Sequence, residues 1–126
     1  MSVVKVLVAE DSAVLREALA DLIEDEPGLE LVGMAIDAEE AIVMAAVHQP
    51  AVAVLDVKMP GGGGSHAASR IARVSPDTRI LAFSAYEDRD SVEQMLASGA
   101  AGYLVKGARM DEVINAILRA ASAPSA

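Results

Sequence analysis

Cysteine is absent from the 126 residues, so neither a disulfide framework nor a thiolate metal centre can be built, and nothing demands an oxidising compartment. His48 and His66, the only histidines, are too few and too separated for a zinc site. Phe83, Tyr86 and Tyr103 are the only aromatic residues, which leaves no stacking platform for single-stranded nucleic acid. Basic residues are in the minority and scattered. Ten Lys and Arg against nineteen Asp and Glu give a net charge of -9, the wrong sign for a surface that grips nucleic acid or anionic lipid. No apolar stretch approaches the roughly 18 residues of a membrane span, and Met1-Ser2 lead straight into a strand-like run rather than a signal peptide. A soluble cytoplasmic domain that binds neither nucleic acid nor membrane directly is expected.

What the chain does have is short apolar runs that end on charged or hydroxyl residues. Val3 to Ala9 stops at Glu10-Asp11-Ser12, and Val52 to Leu55 stops at Asp56, just before Pro60 and Gly61 to Gly64. Runs this short and this rich in branched residues read as strands buried on both faces. Between them, Val14, Leu15, Ala18, Leu19, Leu22 and Ile23 recur at helical spacing behind an Asp11 or Ser12 cap, and Pro27-Gly28 ends that helix. A second strand over Leu29 to Ile36 is followed by a helix capped by Asp37 that stops before Pro50. After the glycines a third helix is expected from about His66 to Val74, then a strand from Thr78 to Ser84. A weakly apolar helix from about Asp90 to Ala97 carries Val92, Met95 and Leu96 on one side. Tyr103-Leu104-Val105 makes a short fifth strand, and the last helix runs from about Met110 to Ala121.

Strict strand-helix alternation predicts a doubly wound α/β fold, a parallel sheet with helices on both faces joined by right-handed crossovers. The length suits one domain. It is assigned to residues 1-121, with 122-126 as a C-terminal tail whose composition is that of a linker and hints at a following output domain.

In such a sheet all strands end on one edge, where ligands bind. Glu10, Asp11, Asp56, Ser84 and Lys106 are the strand-end residues. Singly, each has an ordinary reading as a helix starter, cap or surface charge; Asp56 alone could simply cap the next turn. Together they form a site. Three carboxylates repel unless a cation joins them, and Mg²⁺ with Lys106 closes the formal charge to zero. A carboxylate beside Mg²⁺, a lysine point charge and a hydroxyl suit phosphoryl transfer to the carboxylate itself.

Glu10-Asp11, Leu55-Asp56-Val57-Lys58-Met59-Pro60-Gly61, Phe83-Ser84-Ala85 and Gly102-Tyr103-Leu104-Val105-Lys106 together resemble the receiver domain of bacterial two-component response regulators, over about residues 3 to 121. The resemblance implies a flavodoxin-like five-stranded sheet of order 2-1-3-4-5 with five helices. It implies Asp56 as phospho-acceptor, Mg²⁺ held by Glu10, Asp11, Asp56 and the backbone carbonyl of Lys58, and Lys106 paired with the phosphoryl group. Ser84 would be the switch hydroxyl and Tyr103 the switch aromatic, while Lys58 and Tyr86 resemble positions that tune phosphate lifetime, beside an equally open reading as a surface Lys and a half-buried Tyr. The implied partners are a sensor histidine kinase and an output domain or downstream protein; dimerisation on phosphorylation is carried as a further expectation. The domain would be a signalling phospho-acceptor rather than an enzyme, self-catalysing only its own phosphorylation and dephosphorylation.

Gly107 stands where the family most often has Pro, and the family implies a cis bond between Lys106 and that residue. Gly-Tyr-Leu-Val-Lys-Gly resembles the subfamily with helix-turn-helix output. An aspartyl-phosphate phosphatase is the enzyme alternative, but such enzymes want a second Asp two residues after the nucleophile, where Lys58 stands. A pseudo-receiver that only binds protein is the other alternative. The glycine run lacks the Gly-Lys-Ser/Thr of a nucleotide loop and reads as a flexible helix entry; His66 beside it and His48 read as solvated.

Overall fold

A computed structural model describes residues 3-85 and 89-122. The strands are β1 (Val4–Ala9), β2 (Leu29–Ala35), β3 (Val52–Asp56), β4 (Arg79–Ser84) and β5 (Gly102–Val105), and the helices are α1 (Ala13–Glu24), α2 (Ala38–His48), α3 (Gly63–Val74), α4 (Arg89–Ala97) and α5 (Met110–Ala121). All strand pairs are parallel and the order is β2-β1-β3-β4-β5, the expected topology.

The two-residue period of a strand splits the core into two layers. Leu7, Ala9, Ala53, Leu55 and Ala82 face α2, α3 and α4, meeting Ala41, Ala45, Ala67, Ala68, Ile71 and Met95. Val6, Val8, Val54, Leu81 and Phe83 face α1 and α5, meeting Leu19, Ile23, Val113 and Ile117. β3 lies centrally and every residue in it is buried, which carries Asp56 to the carboxyl edge at the end of a fully packed strand. The caps fall where the sequence puts them. Ser12 Oγ accepts from Leu15 N at 3.4 Å and Asp37 Oδ1 from Glu40 N at 2.8 Å, each satisfying an otherwise orphaned first-turn amide.

Three details depart from the sequence reading. α3 begins at Gly63 rather than near His66: the glycines do not delay the helix, because Gly63 N donates to Met59 O and Gly64 N to Val57 O, winding the chain directly off β3. Gly61, Gly62 and Gly63 have φ of 88°, 113° and 82°, a left-handed run that side-chain-bearing residues resist. In α4, Leu96 turns outward and is 42% exposed, so that Met95 is the helix's buried residue. The Lys106–Gly107 bond is trans; the chain turns instead through Gly107 at φ 95°, closed by Ala108 N donating to Val105 O. Tyr86 lies outside the described residues, as do residues 123-126 of the expected tail. No helix among the described residues is long and apolar enough to cross a membrane.

Candidate functional site

The parallel register brings the ends of β1, β3, β4 and β5 together. Ala9 is opposite Leu55, Asp56 opposite Phe83, and Ser84 opposite Val105, so the residues one step beyond these pairs share one edge. Glu10, Asp11 and Asp56 offer carboxylate oxygens that all lie within 4.8 Å of one another. Lys106 Nζ reaches both Glu10 Oε1 at 3.1 Å and Asp56 Oδ1 at 3.2 Å, and lies 5.5 Å from the centre of the Phe83 ring. That ring faces a cation it can stabilise through its negative face.

Backbone groups orient the acids. Ser12 N donates to Glu10 Oε2 at 2.9 Å, and Lys58 N donates to Asp56 Oδ1 at 3.1 Å. Glu10 and Asp56 are buried, whereas Asp11 faces solvent. Asp56 Oδ2 is buried and has no hydrogen-bond partner among the described residues, an expensive condition for a polar atom unless something else binds there.

Electrostatics follow from this crowding. Burial pushes the Asp56 carboxyl up to about 7, helped by the neighbouring Glu10 and Asp11 carboxylates, against the opposing pull of the Lys58 amide and Lys106. Burial also works against ionised Asp11, but its interactions with the Asp56 and Glu10 side chains and the field of Lys106 bring it below the ordinary carboxylate value. Lys106 loses solvation, yet its two carboxylate partners hold it above the usual lysine value. The site is a set of hard oxygen donors whose three carboxyl groups are faced by one cation, Lys106. Those features fit a small divalent cation such as Mg²⁺, with Glu10, Asp11 and Asp56 as the protein donors.

Of the other residues singled out in the sequence, Ser84 is buried at the end of β4, and its carbonyl accepts from Lys106 N at 2.7 Å. Lys58 contributes its amide to Asp56, and the residue as a whole is exposed. Tyr103 does not join the acids. It stands on the edge strand β5, 57% exposed, beside a cavity of about 290 Å³ lined also by Leu81, Ala116, Arg119 and Ala120. His66 lies 3.8 Å from Glu39 on the neighbouring helix α2, and His48 is exposed.

Two features escaped the sequence reading. Arg16, one turn into α1, donates from Nη1 to the carbonyls of Glu10 at 2.8 Å and Asp11 at 3.4 Å. Gly64 allows α3 to lie against the end of β3: a Cβ there would stand 2.7 Å from Asp56 O and 2.8 Å from Met95 Sδ. The five-residue offset from Asp11 was the available signal for the first; nothing periodic announces the second.

Residues 6–118 match the response regulator receiver domain family. The chain is 38% identical over 114 residues to the response regulator GacA of Pseudomonas protegens, covering 90% of this chain and 54% of that protein. It is 42% identical over 120 residues to the transcriptional regulatory protein PdtaR of Mycobacterium tuberculosis, covering 94% and 57% respectively. The chain thus spans about half the length of these curated relatives. Among solved structures, the signal receiver domain of a response regulator described as NarL from Mycobacterium tuberculosis superposes with a TM-score of 0.92 at 32% identity, covering 98% of this chain and all of that one.

Proposed function

The chain belongs to the response regulator receiver domain family, the signalling modules of bacterial two-component systems, and on that premise we propose that Asp56 accepts a phosphoryl group from a sensor histidine kinase. The observation that carries this reading is Asp56 itself: one carboxylate oxygen is engaged by Lys58 N and Lys106, and the other is buried and unpartnered at the strand end. Oδ2 is the free nucleophile. It attacks phosphorus, the bond from phosphorus to the kinase imidazole nitrogen breaks, and that nitrogen leaves with the electron pair.

Glu10, Asp11, Asp56 and the Lys58 carbonyl would hold Mg²⁺, which when bound supplies positive charge against the carboxylates and the phosphoryl oxygens. Lys106, already spanning Glu10 and Asp56, shifts its donors to a phosphoryl oxygen as negative charge moves onto that group. The buried Ser84 hydroxyl then bonds the phosphoryl group, which favours a conformer with its loop drawn inward and gives Tyr103 space to follow. Lys58, which faces solvent beside the nucleophile, and Tyr86 tune the lifetime of the phosphate.

The name of PdtaR, a transcriptional regulatory protein, and the greater length of both relatives support an output in transcription, carried by a helix-turn-helix domain or another partner, with dimerisation on phosphorylation as one way to engage it. The acidic receiver leaves nucleic acid to that partner. The protein working in the cytoplasm as a phospho-acceptor, not as a turnover enzyme, completes the reading.

Incubation with Mg²⁺ and acetyl phosphate, followed by intact mass, tests it. One added phosphate that disappears in Asp56→Asn is expected. An unchanged wild-type mass with this donor and with a partner kinase would make the chain a protein-binding module that has kept the fold and lost the chemistry.

A further inference from the structure

Glu10 and Asp11 sit on a turn between the end of β1 and the start of α1, where the strand ladder has stopped and the helix ladder has not begun. Glu10 N still donates to Ala35 O at 3.0 Å, and Ser12 N folds back onto the Glu10 carboxylate. The carbonyls of Glu10 and Asp11 have neither ladder to enter. Arg16 Nη1 meets both, and Arg16 N itself donates to Ser12 O at 2.9 Å, so one residue grips the turn by main chain and side chain together. The planar end of a guanidinium directs its two N–H bonds in fixed directions, which suits two carbonyls held at a set separation.

This grip is needed because the turn is under electrostatic load. It presents two carboxylates to a third, and mutual repulsion pushes it away from β3. Lys106 opposes that from β5 by binding the carboxylates of Glu10 and Asp56. Asp11 has no bond to Lys106 of that length, is exposed, and is therefore the acid whose position depends most on its backbone.

We propose that Arg16 is a positioning residue for the acid pair: by holding the Glu10 and Asp11 carbonyls it fixes the turn so that their carboxylates converge with Asp56, and so sets the site's affinity for a divalent cation. The inference rests on the cation-dependent reading given above. It assigns Arg16 no contact with the cation or the phosphoryl group.

The test is calorimetric titration of Mg²⁺ into the wild-type protein, Arg16→Gln, Arg16→Met, Arg16→Lys and the α1 surface control Glu17→Gln, with metal-free melting temperatures recorded for each. Loss of such a supporting bond is expected to weaken Mg²⁺ binding on the order of tenfold in the Gln and Met variants, with Lys intermediate and the control within about twofold of wild type. Phosphorylation by acetyl phosphate should shift its half-saturating Mg²⁺ concentration by the same factor and reach nearly the wild-type rate at saturating Mg²⁺. A purely structural role would lower the melting temperature without moving that midpoint. Wild-type affinity in a folded Gln or Met variant overturns the proposal, and failure of both to fold overturns it too, by making Arg16 a folding residue. A wild-type protein that binds no Mg²⁺ sinks the cation-dependent reading itself, a different and separately visible result.

Discussion

At the ends of β1 and β3 the acids are fixed by short bonds from several directions: Ser12 N and Lys106 on Glu10, Lys58 N and Lys106 on Asp56, and Arg16 beneath the turn. Toward β4 and β5 the edge is built more lightly. α4 buries Met95 alone, against Gly64, Ala67, Ala68 and Ile71 for α3, and the four-residue β5 leaves Tyr103 outward on the sheet's open side. The chemistry needs atoms held in place before the phosphoryl group arrives; the readout needs an element that moves at low cost once it has arrived. The two halves meet at Gly64, where α3 separates the Asp56 carbonyl from Met95 by no more than the space of an absent methyl group.

Perturbing each half should therefore have different consequences. The largest effect is expected from Lys106→Met, which removes the cation shared by Glu10 and Asp56: the rate of phosphorylation at saturating donor should fall on the order of 10²- to 10³-fold, measured by intact mass against time. Met95→Ala strikes the other half. Loss of that fully buried side chain should cost roughly 2 to 3 kcal/mol of stability in denaturant unfolding, with hydrogen exchange rising first in α4 and the Mg²⁺ affinity of the acid cluster little changed.

A smaller effect, confined to the acid half, comes from pH. The folded-state pKa of Asp56 is raised from 3.8 to about 7, so its neutral form favours the folded state; that stability is full below about pH 4 and is lost as pH rises to about 7. Asp11 is shifted the other way, so its contribution is lost only in more acidic solution, below the ordinary value of 3.8. The metal-free melting temperature is expected to drop by at least about 5 °C more in wild type than in Asp56→Asn between pH 4 and 7. Mg²⁺ should diminish the difference. The smallest change is expected for Tyr103→Ala: with the ring largely in solvent, stability should move by less than about 0.5 kcal/mol and the phosphorylation rate should hold, while any phosphorylation-induced change at α4 and β5 is altered.

The same contrast governs what the sequence could disclose. Strands that are apolar on both faces and stop at a charge are legible from neighbours in the chain, which is why Glu10, Asp11, Asp56, Ser84 and Lys106 could be assembled on one edge from strand ends alone. Ser12 and Asp37 were legible as caps for the same local reason. α4 gave a weak pattern because a helix anchored by one side chain has little periodicity to show, and Leu96 was assigned to the wrong side. The start of α3 was misjudged because glycine is read as a breaker, when here three left-handed glycines redirect the chain into the helix. Arg16 lay five and six residues from the acids it supports and went unread because a lone basic residue on a helix looks like surface charge, whereas the Gly64–Met95 contact depends on a distance between elements that no local pattern carries.

Trapping of the acyl phosphate with borohydride, which reduces an aspartyl phosphate to homoserine, followed by peptide sequencing, reads the acceptor directly. Homoserine at position 56 and no reduced residue elsewhere is the expected result; homoserine at position 11, 5-hydroxynorvaline at position 10, or no reduced residue after phosphorylation would contradict the assignment of Asp56, through its buried Oδ2, as the nucleophile.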